Sequence, residues 1–62
     1  MNKESIIAIN AAIKALKIAA NEITKAQQSD RDMQPKDYNA LVTIHNKAWA
    51  SIIVLETMLN KE

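Results

Sequence analysis

At 62 residues, the chain is too short to bury a large core by itself. It has no cysteine and a single histidine, which excludes disulfides and an ordinary structural zinc site. The net charge of +1 singles out neither nucleic acid nor membrane as a partner. With no glycine and 48% hydrophobic residues, the composition favours helix over tight β-hairpins. The expectation is one domain over 1–62 that needs oligomerisation to complete its core.

The first ten residues superficially suggest a secretory leader, but Asn10, Lys14 and Lys17 interrupt the apolar segment and no clear cleavage site follows. No run approaches the roughly 18 apolar residues of a membrane span. A cytoplasmic protein without membrane insertion is expected.

The first predicted helix covers about 3–28, with Asn2 as its N-cap. Ile6, Ile9, Ile13, Leu16, Ala20 and Ile23 alternate spacings of three and four and so share one stripe. A short polar connection follows, from Ser29 to Gln34. Its Asp30-x-Asp32-x-Gln34 spacing begins like a calcium loop, but Pro35 and Leu41 replace the glycine and glutamate such a loop requires. The acidic residues are expected to solvate the turn and cap the next helix.

The second predicted helix covers about 35–60. Pro35 suits the first helical position, Asp37 suits the dipole, and Met33 with Tyr38 fits a hydrophobic staple. Gln34 is a poor cap, so Asp32 is an alternative starting point. Tyr38, Leu41, His45, Ala48, Ile52, Leu55 and Leu59 form the second stripe. Folding the chain at the short connection gives antiparallel neighbours and pairs Ile6 with Leu59, Ile9 with Leu55 and Ile13 with Ile52. It also pairs Leu16 with Ala48, Ala20 with His45, Ile23 with Leu41 and Gln27 with Tyr38. Filled layers from two independent patterns support an all-α, antiparallel two-helix hairpin.

More apolar surface flanks these stripes than one hairpin can hide. A homodimeric four-helix bundle or a higher oligomer is therefore expected, with Val42, His45, Trp49 and Ile53 joined by Ala12 and Ala19 at the interface. His45 reads either as a neutral core histidine or as a pH-sensitive joint. Serines and threonines are scattered, with no serine–histidine–carboxylate set and no glycine-rich phosphate cradle, so no enzyme, cofactor or metal is expected.

The outward face of the first helix carries an eleven-residue self-match, Ile7-Ala8-x-Asn10 with Ile18-Ala19-x-Asn21, continuing to Lys14-Ala15 and Lys25-Ala26. Eleven residues is nearly three whole turns, so matching residues stack in line. The strip reads Lys3, Ile7, Asn10, Lys14, Lys17, Ile18, Asn21 and Lys25. It suits a protein groove, an RNA backbone or a membrane surface, although the core stripe claims the isoleucines a membrane would need.

Length, layout and this lysine-and-asparagine face resemble the Rop-type plasmid copy-control proteins. Lys3, Asn10 and Lys25 stand where that family places binding residues, while Lys14 and Ile18 replace its aromatic and glutamine. The resemblance implies a dimeric hairpin that binds paired RNA loops through the outer face of its first helix. The residues themselves favour a homo-oligomeric protein-interaction or regulatory module, of the kind a phage or plasmid uses to modulate a host protein. An RNA-binding regulator is the alternative.

Overall fold

A helix starts where its first free N–H groups find acceptors, and Asn2 provides one. Its Oδ1 accepts from the Ser5 N–H at 2.8 Å, and its carbonyl accepts from the Ile6 N–H at 3.1 Å. The computed structural model describes residues 1–61, so the domain expected over 1–62 extends one residue beyond them. Helix α1 is Lys3–Ser29 and α2 is Pro35–Asn60. Asn2→Ala is expected to cost about 1 kcal/mol, read as a lower urea midpoint. An unchanged midpoint would show that the cap does not hold this end.

The turn reverses the chain with no residue at positive φ, which is how a sequence without glycine makes a hairpin. Asp30 leaves the helix in an extended conformation, its N–H still donating to the Ala26 carbonyl at 3.0 Å. Its carboxylate then accepts the Asp32 N–H at 3.1 Å, a local side-chain turn. The second helix starts at Pro35 as expected and not at the alternative Asp32, and the expectation that the loop acids cap it is corrected, since no side chain caps α2. Gln34 stands at the cap, extended as a residue before proline must be, and makes no side-chain cap bond. Pro35 and Asp37 occupy the first turn as expected.

The helices pack along their length in an array of 46 × 14 × 12 Å between Cα atoms. Gln27 Nε2 donates to the Tyr38 carbonyl at 3.3 Å, joining two residues expected to lie opposite. Ile13 and Ile52, expected as a layer, are both buried, as are Ala20 and Ala48. The remaining layers are less closed than the pattern suggested. Ile6, Ile9, Leu16, Ile23, Leu41, His45, Leu55 and Leu59 are half-buried, and Tyr38 is exposed. One neighbouring helix shields each residue from one direction only, so among the described residues just four side chains fall below the surface. No described helix is long and apolar enough to cross a membrane.

Candidate interaction surfaces

Lys17 Nζ lies 3.7 Å from Glu56 Oε2, and this contact fixes which flank of α1 adjoins which flank of α2. Helical side chains lean toward their own N-terminus, so in an antiparallel pair these two lean toward one another. A shallow groove on the same side is lined by Asn10, Ile13, Lys17, Glu56, Leu59 and Asn60. Advancing 100° per residue from these anchors sorts the surface into two broad sides.

On the lysine side, Lys3, Asn10 and Lys17 of α1 run beside Val42, Trp49 and Glu56 of α2. Ile7, Lys14 and Asn21 lie further out on α1, with Ile53 further out on α2. On the opposite side, Ala12, Ala19 and Ala26 run beside Ile44, Ser51 and Met58. Ala8 and Ala15 border them on α1, and Val54 borders them on α2.

All eight strip residues are exposed. Ile18 points furthest from α2 within the strip, and Lys25 shares the direction of Ile7 at the outer margin of the lysine side. Lys17 is engaged by Glu56, and Lys25 by Glu22 at 3.3 Å, whereas Lys3 and Lys14 make no ion pair among the described residues. The Lys17–Glu56 and Lys25–Glu22 pairs are both solvent-exposed and contribute little to stability. The Asn10 amide nitrogen donates to the Ile6 carbonyl at 3.1 Å, which orients the side chain along the helix. The strip thus offers two ammonium groups without an ion pair among the described residues, Lys14 between the exposed Ile7 and Ile18 and Lys3 one turn before Ile7.

The six residues expected to share an oligomer interface do not share a side. Val42, Trp49 and Ile53 lie with the lysines, while Ala12 and Ala19 lie across the hairpin from them. His45 belongs to neither, since it is half-buried within the hairpin's own seam. Glu56 and Val54 escaped the sequence reading. The signal that finds them is the phase of each flank once the helices are set antiparallel.

Among the described residues, no three His, Cys, Asp or Glu side chains come together as a metal site. The Thr24, Thr43 and Thr57 hydroxyls donate to carbonyls four residues back, of Ala20, Asn39 and Ile53. Comparison with family models, curated proteins and solved structures gives no match. The likeness to copy-control hairpins therefore rests on Lys3, Asn10, Lys25 and the two-helix layout.

Proposed function

We propose that this hairpin is a self-associating, non-catalytic protein-interaction module whose outward α1 strip receives a protein partner. The observation that carries this reading is surface area. The chain exposes 4808 Å² at a mass of 6.9 kDa. A compact monomer of that mass exposes about 4,000 Å², so the excess is about 800 Å². About 800 Å² is also what one partner contributes to a standard protein interface. Among the exposed residues are Ile18, Trp49, Ile53 and Val54; full burial of an exposed aliphatic side chain gains about 1.5–3 kcal/mol, and the three aliphatic ones, already part-covered, have roughly half of that still to gain.

The strip suits a partner that is itself amphipathic and acidic. Ile7 and Ile18 supply apolar anchors, Lys3 and Lys14 supply unpaired charge, and the asparagines supply amide donors and acceptors. Four lysines on one helix favour RNA as the second reading, through phosphate contacts.

The test is quantitative binding of a purified partner to the full chain and to Ile7→Asp and Ile18→Asp variants. Both positions are exposed, so circular dichroism should show the helices intact. The expected result is a stoichiometric complex that both substitutions abolish. A complex that survives them removes the strip from the account. Binding to RNA that weakens steeply with salt and is lost in a Lys14→Glu, Lys25→Glu variant would establish the second reading instead.

A further inference from the structure

We infer that a second copy of this chain docks on the alanine side of the hairpin, leaving Trp49 and the lysine strip facing outward. This rests on the self-association proposed above and assigns it to one of two surfaces.

Charge separates the two candidates. A two-fold interface sets a surface against itself, so any net charge on it is repelled by its own image. The lysine side carries Lys3, Lys14, Lys17 and, at its margin, Lys25 against Glu56 alone. On the alanine side, Lys36, Lys47 and Lys61 balance Glu4, Glu22 and Asp37, and no charge interrupts the stretch formed by Ala8, Ala12 and Ala15 with Ser51, Val54 and Met58.

Shape agrees with charge. Ile44 is 52% exposed and Val54 59%, and both project from α2, whereas α1 offers only alanine on that side between Ala8 and Ala19. An apolar depression lined by Ala50, Ser51, Val54 and Leu55 adjoins them. A two-fold axis parallel to the helices lays α2 of each copy, antiparallel, on α1 of the other. Large side chains then meet small ones, and Lys47 approaches Glu22 of the other copy. Alanine permits the close end of the 8–10 Å range of helix separations. A standard interface of this kind takes about 800 Å² from each copy.

The single tryptophan reads the outcome directly. At concentrations where sedimentation shows assembly, acrylamide should still quench Trp49, because the indole lies on the outward side. Ala19→Glu and Val54→Lys, both at exposed positions of the hairpin, should each abolish the two-chain species, and Ile53→Lys should leave it intact. An assembled chain whose indole is shielded from acrylamide would overturn this assignment while leaving self-association standing. So would assembly that survives Ala19→Glu and Val54→Lys but is lost in Ile53→Lys. A folded single chain at every concentration would remove both the assignment and the self-association beneath it.

Discussion

Ile52→Ala is expected to abolish most of the helical signal of this protein at room temperature. Ile52 is fully buried, with 0% of its surface exposed, and is the largest side chain so enclosed. Truncating a buried isoleucine to alanine costs about 2–5 kcal/mol, from lost transfer energy and the cavity left behind. A core of this size rarely supplies more than about 3–5 kcal/mol in total, so one such loss consumes the margin. The neighbouring Ile53 is 61% exposed, and Ile53→Ala should stay within about 0.5 kcal/mol of the parent. Far-UV circular dichroism with urea titration measures both. Equal effects at the two positions would show that the α2 register is wrong.

Ala20→Leu should act in the opposite steric sense with a comparable result. Ala20 is also fully buried, in a layer where α1 faces the half-buried His45. Three added carbons there must part the helices or drive a side chain off its rotamer, which costs about 1–3 kcal/mol. Because the two helices share one seam, parting them at Ala20 also loosens the contacts on either side, including Gln27 to Tyr38. Ala11→Leu, at an exposed position directed away from α2, is the control and should change stability by less than about 0.5 kcal/mol. A lower urea midpoint for Ala20→Leu alone confirms the seam; a tolerated leucine would mean the helices are not in close contact there.

The sequence made the hairpin readable because each signal acts locally. Asn2 caps by reaching three residues ahead, Pro35 fixes its own φ, and the stripes repeat at the helical period. The Gln27–Tyr38 bond falls where folding the two stripes together placed it. The turn was harder, because Asp30 and Asp32 are chemically identical and only the backbone geometry decides which carboxylate closes on which N–H.

The division of the surface takes one step more than the stripes. A stripe shows which residues of a helix lie together, and the flanks sort only when the phase of both helices is carried through the antiparallel arrangement. Ala12 and Trp49 both border the seam when each helix is read alone. The antiparallel phase, anchored by Lys17 to Glu56, puts them on opposite sides. The strip from Lys3 to Lys25 was fully legible as an exposed line, because exposure follows from the same period that defines the core.

Sedimentation equilibrium across the micromolar range, with circular dichroism on the same samples, tests most directly whether a second copy completes this fold. The account predicts a helical species with the mass of two or more chains and a thermal midpoint that rises with concentration, since association stabilises the folded state by mass action. A fully helical single chain whose midpoint is independent of concentration would contradict it.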